Sequence, residues 1–328
     1  MIVKRQDKRA QGQDKSLSRV GRIGVLMGGP SSEREISLKS GKAIYESLKN
    51  SGLEAIAIDI NTDDIQATSQ LIRSQKIDCA FIALHGRFGE DGQIQEILDR
   101  SGLVYTGSAV EASRRAMNKV VSHEIFSSNG LAVPRYRALN KNSFSKDDKF
   151  FADLGFPLVV KPVTGGSSIG LSLVDSQGSL IEAIDLAFSY DESIIIEEYI
   201  KGRELTVGIL NEEALPVIEI IPKNKFFDFQ AKYQSGMTDY IVPAKLEKEV
   251  TQRVKQAALL AHKLLGCFGC SRVDLILSRD NLPFILEINT IPGFTSTSLL
   301  PKAAKAVGIE FNQLCMKLIE LAYAQTRV

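Results

Sequence analysis

Cysteine, net charge and long apolar runs are all scarce in this chain, and each scarcity removes a class of protein. Four cysteines in 328 residues, Cys79, Cys267, Cys270 and Cys315, are too few for the disulfide framework of a secreted domain, so a cytoplasmic location is expected. Cys267 and Cys270 do form a C-x-x-C. They close a helical pattern and enter a strand, with no second pair or nearby histidine to complete a zinc site, so core packing is the better reading. Lysine and arginine number 40 against 39 acids, a formal net charge of +1, which leaves no whole-surface field to gather nucleic acid or anionic lipid and favours a small-molecule partner. No apolar run reaches the length of a membrane span. The tail over residues 1–19 carries Lys4, Arg5, Lys8, Arg9, Lys15 and Arg19 against Asp7 and Asp14, without the apolar centre of a signal peptide; a solvated, disordered tail is expected.

What remains is an ordinary globular composition, 44% apolar and 24% charged. At about 150 residues per domain, this length suggests two units, or three small lobes sharing one cleft. From Arg22 the pattern alternates: strands at Ile23 to Met27, Ala55 to Ile58 and Asp78 to Ala83, with a helix at Ile36 to Asn50. Such βαβ material predicts a small, Rossmann-like parallel sheet with helices on both faces, an α/β lobe over residues 20–108. A second lobe, α+β and mostly antiparallel, is expected over 109–202. It holds a helix at Ala109 to Ser128, an edge strand at "VPRYRAL", the strand "FPLVVKP", a loop "TGGSSIG", a helix at Ser179 to Phe188 and the strand "SIIIEEYI". The third, over 203–328, holds "RELTVGIL", "LPVIEII", a helix at Glu247 to Leu265, and the strands "SRVDLIL" and "PFILEIN" joined by the turn "SRDNL" as a hairpin.

That hairpin carries the strongest chemistry. Side chains alternate along a strand, so Arg272 and Asp274 share one face, as do Glu287 and Asn289, while Val273, Leu286 and Ile288 point into a core. Two carboxylates and an amide oxygen are hard donors, suited to Mg²⁺ held together with substrate phosphates. A plainer reading, polar residues on a solvated face, is equally open from the hairpin alone. The following "TIPGFTSTSLLPKAA" sets Gly293 and a Thr and Ser run before a helix starting near Leu299, where free N–H groups could hold a carboxylate or oxyanion; simple capping by Ser298 is the alternative. Lys161 ends an apolar strand and therefore needs a partner, and the glycine and serine loop beyond it could enclose phosphate oxygens, although it is not a P-loop. Glu197, Glu198 and Glu204 could accept from ribose or adenine, or simply protect a strand edge. "LHGRFGEDGQIQ" places His85 at the carboxyl end of a parallel strand, where ligands gather. "VLMGGPSSERE" occupies a similar place but fails G-x-G-x-x-G, and Glu33 puts a negative charge where an anion would sit, so it suits a cation.

Together "GGPSSEREISLKSG", "FIALHGRFGEDGQIQ", "YTGS", "VVKPVTGGSSIG", "AKY", "RVDLIL" and "LEINTIPGFTSTSLLPKAA" resemble, in order and spacing, the D-alanine:D-alanine ligases of the ATP-grasp superfamily, from Arg22 to the C-terminus. The resemblance implies an ATP-grasp fold and an ADP-forming ligation through a D-alanyl phosphate, with ATP and two Mg²⁺ ions (or Mn²⁺), for peptidoglycan synthesis. It implies Lys119, Lys161, Glu197, Glu204 and Lys232 around the nucleotide; Asp274, Glu287 and Asn289 on metal; and Arg272 with the Gly293 N–H on the oxyanion. Glu33 would meet the first D-alanine's ammonium and His85 its carboxylate, and Ser298 with the Leu299 N–H the second carboxylate. Ser167, Tyr233 and Glu33 would form a trio tying a mobile loop over the cleft, and Tyr233 favours the dipeptide over D-alanyl-D-lactate. A homodimer is expected, with no nucleic-acid or membrane partner. The chain departs from the family's pattern at Phe227, Phe229 and Gln230 in the closing loop, and at Glu198 and Ile291.

Overall fold

The computed structural model describes residues 20–144, 153–223 and 238–325. Strands β1 (Ile23–Gly28), β2 (Ala55–Ile60), β3 (Cys79–Ile82) and β4 (Val104–Tyr105) form a parallel sheet in the order β2-β1-β3-β4. Every residue of β1 is buried, as a strand covered on both faces requires. Helices α1 (Arg34–Asn50), α2 (Ile65–Ser74) and α3 (Gln93–Arg100) make the crossovers. The carboxyl ends of β1 and β3 deliver the two loops that carry Glu33 and His85.

The expected single helix from Ala109 to Ser128 is two, α4 (Val110–Met117) and α5 (Lys119–Ser128). Asn118 breaks it. Its backbone is extended (φ −91°, ψ 104°) and its Oδ1 accepts from the N–H groups of Val120 and Val121, both at 3.1 Å, so the residue caps a new helix. The break lets Lys119 N–H donate to the Val163 carbonyl at 3.2 Å and turns the lysine toward the second sheet. That sheet is antiparallel, β5-β8-β6-β7, from β5 (Tyr136–Asn140), β6 (Leu158–Pro162), β7 (Ser172–Val174) and β8 (Ser193–Glu198), with α6 (Gln177–Phe188) on one face.

The third sheet runs β12-β11-β9-β13-β14, from β9 (Gly202–Leu210), β11 (Ile218–Pro222), β12 (Thr238–Ile241), β13 (Cys270–Ser278) and β14 (Pro283–Asn289), with β10 (Glu213–Ala214) on β9. Helix α7 (Lys248–Leu265) buries Val250, Val254, Ala258, Ala261 and Leu265 against it. Helices α8 (Leu299–Lys305) and α9 (Phe311–Ala324) pack back on the first sheet, joining Leu300, Ala303 and Leu314 to Val25 and Phe81 in one core. The β13–β14 hairpin forms with Arg272 opposite Asn289 and Asp274 opposite Glu287. One expectation fails there. The register slips between Asp274 and Leu275, so β14 carries an extra residue, and Leu286 faces the cleft beside Glu287 instead of the core.

Candidate active site

Residues of the second and third sheets, with Lys119 at the start of α5, line a cleft of about 500 Å³ that holds Lys161, Glu197, Glu204, Asp274 and Glu287. Lys161 has the partner that its apolar strand demands: Nζ lies 2.8 Å from Glu197 Oε2, with the residues 7% and 2% exposed. A buried pair must be well satisfied to persist. Glu197 Oε1 faces His123 Nδ1 at 3.7 Å without a hydrogen bond, and His123 Nε2 donates to the Leu286 carbonyl at 3.1 Å. Burial lowers the pKa of His123. Lys119, also buried, donates to the Gly165 carbonyl at 2.7 Å and lies 3.5 Å from Glu287; burial holds its pKa below the usual lysine range. Glu198, at the margin of the cleft, accepts from Arg135 Nε at 2.8 Å.

Asp274 is the most constrained acid. It accepts two hydrogen bonds from Arg272, at 2.9 and 2.6 Å, one from Thr206 at 2.6 Å and one from the Asn289 amide at 3.1 Å. Among the described residues no cluster of three or more His, Cys, Asp or Glu could hold a metal alone. The set here is two carboxylates and an amide oxygen, which suits Mg²⁺, an ion that takes one or two carboxylates and fills its octahedron with phosphate oxygens and water. The cysteines stay outside this chemistry: burial pushes the thiols of Cys267 and Cys270 up to about 12, far from thiolate.

Against the glycine loop that borders this cleft, Glu33 is buried at the start of α1 but spends nothing on capping it. Its Oε1 instead accepts from the Ser167 hydroxyl, delivered by the glycine loop of the second lobe. Gly86 makes room for it, since a Cβ there would stand 2.7 Å from Glu33 Oε2. Arg87 adds a second link between these lobes, donating to Thr164 Oγ1 at 2.7 Å, while the Thr164 hydroxyl donates to Asp191 at 2.6 Å. His85 is fully engaged: Nδ1 donates to the Ile291 carbonyl and Nε2 accepts from the Ser40 hydroxyl, both at 2.9 Å, and Ser40 Oγ accepts from the Phe294 N–H. It therefore positions the Ile291 to Phe294 turn. A direct contact with a substrate carboxylate, as the sequence suggested, would require one of these bonds to break.

Ser298 does not cap α8. Its Oγ accepts from the Thr295 N–H at 3.0 Å and lies 2.9 Å from Thr295 Oγ1, with Gly293 alongside, leaving the first N–H groups of the helix, including that of Leu299, unspent by that side chain. Lys232 and Tyr233 lie outside the described residues, as do Phe227, Phe229 and Gln230. Sequence reading missed His123 and Glu90. His123 follows Lys119 by one helical turn, which was a usable signal; Glu90, within "LHGRFGEDGQIQ", is enclosed 3.7 Å from His85.

The D-Ala-D-Ala ligase C-terminus model matches residues 125–320, and the N-terminus model matches 22–71 and 61–108. The chain belongs to the D-alanine–D-alanine ligase family. A relative of that name from Pelotomaculum thermopropionicum is 45% identical over 92% of this chain and 96% of its own length, and one from Geotalea uraniireducens is 46% identical over 92% and 95%. Among solved structures, the Bacillus anthracis D-alanine–D-alanine ligase complexed with ATP superposes with a TM-score of 0.82 at 35% identity, over 93% of this chain and 98% of that one. The VanG D-Ala:D-Ser ligase of Enterococcus faecalis gives 0.79 at 30% identity, over 93% and 100%. The three lobes are thus those of an ATP-grasp ligase.

Proposed function

We propose that this chain joins two D-alanines to D-alanyl-D-alanine at the expense of ATP, for peptidoglycan precursor synthesis. The observation that carries this reading is a cleft lined by Lys119, Lys161, Glu197, Glu204, Asp274 and Glu287, whose glycine loop, at Gly166 and Ser167, abuts the buried Glu33 carboxylate. In the first step the carboxylate of one D-alanine, its ammonium held by Glu33, attacks the γ-phosphorus of ATP; the bond from that phosphorus to the bridging oxygen breaks, ADP leaves with the electron pair, and D-alanyl phosphate remains. Phosphoryl transfer is mainly positioning and charge neutralisation. Lys119 and Lys161 supply fixed positive charge at the phosphates. Asp274, Glu287 and Asn289 would hold Mg²⁺, two ions in all, and the metal when bound neutralises the phosphate charge.

In the second step the amine of another D-alanine attacks the acyl carbon and phosphate departs. Arg272 and the Gly293 N–H would stabilise the oxyanion, and Ser298 with the Leu299 N–H would hold the second carboxylate. Lys232 and Tyr233 would approach from the loop outside the described residues. We divide the chain at about residues 108 and 202, one sheet to each lobe, and infer a cytoplasmic homodimer; among the described residues no helix is long and apolar enough to cross a membrane. Incubation with ATP, Mg²⁺ and D-alanine, then with D-serine or D-lactate added, tests the proposal by product mass. D-alanyl-D-alanine as the main product is expected. A preference for D-serine or D-lactate as acceptor, or no ADP at all, would overturn it.

A further inference from the structure

Strand β14 ends the third sheet, and its outer side is held by α5 and the turn after it. Ile285 N–H donates to the Ala132 carbonyl at 2.9 Å, and the carbonyl of the next residue, Leu286, accepts from His123 Nε2 at 3.1 Å. Leu286 is the residue that breaks the ladder. Asp274 pairs with Glu287 and Leu275 with Ile285, so Leu286 has no counterpart on β13. An extra residue leaves its backbone groups to find partners outside the regular pairing, and bulges of this kind re-aim the side chains beside them. Here the neighbouring side chain is Glu287, and Leu286 and Glu287 both line the cleft. In an unbroken strand, two successive residues would face opposite sides.

His123 is fully buried on α5, with its ring packed against that of Tyr136 at a centroid distance of 5.3 Å. A carbonyl can only accept, so the bond to Leu286 puts the proton on Nε2 and leaves Nδ1 of the neutral ring an acceptor. Nδ1 faces Glu197 Oε1, a second acceptor, and neither atom has a hydrogen-bond partner among the described residues. Burial, helped by Lys161 and Lys119 and opposed by Glu197, keeps a second proton off the ring. The single N–H therefore goes to Leu286 and not to Glu197. Resting on the ligase reading, we propose that His123 is a positioning residue for the metal site: by holding the Leu286 carbonyl it fixes the bulge, and the bulge presents the Glu287 carboxylate to the cleft opposite Asp274. It touches neither nucleotide nor metal. Its action passes through one backbone bond, in the way that groups behind a metal ligand commonly set the ligand's direction.

The test replaces the donor and reads the metal directly. Glutamine can place its amide nitrogen near the position of Nε2, whereas asparagine is shorter and reaches only the position of Nδ1. Binding of Mn²⁺ to the full chain in the presence of ADP, followed by the electron paramagnetic resonance of the free ion, needs no turnover. His123→Asn should raise the Mn²⁺ dissociation constant by about 10-fold or more, and His123→Gln should bring it back to within a few-fold of wild type. His123→Met, which fills the space without a donor, makes the same test if the asparagine variant does not fold. In ADP release, the variants without the donor should need more Mg²⁺ for half-maximal rate while kcat at saturating Mg²⁺ stays within a few-fold, a split that general loosening of the fold would not give. Adding Glu287→Gln to such a variant should weaken Mn²⁺ binding no further than Glu287→Gln alone, because both changes act on one ligand. Unchanged affinity without the donor, or equal loss in His123→Gln and His123→Asn, would overturn the assignment and leave the ligase reading standing. A wild-type chain that bound no Mn²⁺ beside ADP would overturn the metal set and this assignment together.

Discussion

Lys161→Met is the sharpest test of how the nucleotide end is built. Methionine keeps most of the aliphatic stem and removes only the ammonium, so the change isolates the 2.8 Å contact with Glu197. The carboxylate left behind is 2% exposed, and its other oxygen has no hydrogen-bond partner. Breaking a buried pair from one side costs about 3–5 kcal/mol, because an uncompensated charge stays in a low dielectric. For a lobe of this kind that is on the order of 10 °C in melting temperature. Removing both charges, in Lys161→Met with Glu197→Leu, should recover most of the loss, since two apolar side chains need no solvation. The loss should also depend on pH. Lys161 is one of the charges that lower the pKa of His123, so its removal lets His123, 3.7 Å from Glu197, take a proton more readily and stand in for the ammonium. A histidine whose folded pKa rises contributes stability at low pH that is lost as pH increases. Calorimetry of the single variant should therefore show a smaller deficit at pH 5.5 than at pH 8. Equal melting temperatures for single and double variants, or a deficit below about 1 kcal/mol, would refute the claim that this pair is mutually dependent.

Three further outcomes are expected. Glu287→Gln should cut ADP release by about 100-fold or more while its circular dichroism melt stays near wild type, because it weakens a metal ligand at constant volume; wild-type turnover would remove Glu287 from the metal set. Glu90→Gln should raise stability above pH 7. Burial moves this carboxyl from 4.5 to about 7, so the native chain binds its proton more tightly than the unfolded one, and wild-type stability falls as pH rises across that window, by up to ~3 kcal/mol. Melting curves at pH 4 and pH 8 should show the variant's advantage only at pH 8. Asn118→Ala should cost about 1 kcal/mol through the lost cap and raise the KM for ATP, since the break it enforces aims Lys119; an unchanged KM would separate the cap from the site.

Much of this arrangement is legible in the sequence because strand alternation is a strict geometric rule. Arg272 and Asp274 share a face in the structure as parity requires. Lys161 at the end of an apolar run needed an anion, and Glu197 supplies it. Parity fails only where its premise does: the slip after Asp274 inserts one residue, and Leu286 changes sides. The helix from Ala109 hid its break for a different reason. Apolar spacing continues across Asn118, and a capping residue is visible only once its neighbours' N–H groups need an acceptor. His85 was legible as a candidate, but its partners were not, since the Ile291 carbonyl that occupies it lies 206 residues away.

The stretch "VLMGGPSSERE" shows what the tertiary partner adds. An acid at the start of a helix is favourable for the helix alone, through the partial positive charge of its free N–H groups. By that argument Glu33 would be a local feature. The structure gives its carboxylate to Ser167, a residue of another lobe held in left-handed backbone at φ 54° beside Ser168 at φ 58°. Non-glycine residues stay in that region only when their surroundings over-determine them. The glycine loop is also anchored by Lys119 at Gly165 and by Arg87 and Asp191 at Thr164. On the proposed reading, an ammonium bound at Glu33 would change the charge that faces Ser167, while the loop that carries Ser167 lines the cleft with Gly165, Gly166 and Ser168. That reading would link occupation of the amine subsite and placement of the glycine loop through one hydroxyl, so removing it in Ser167→Ala should raise the KM for D-alanine and the KM for ATP together. A rise confined to D-alanine would mean that the loop holds its place without Glu33.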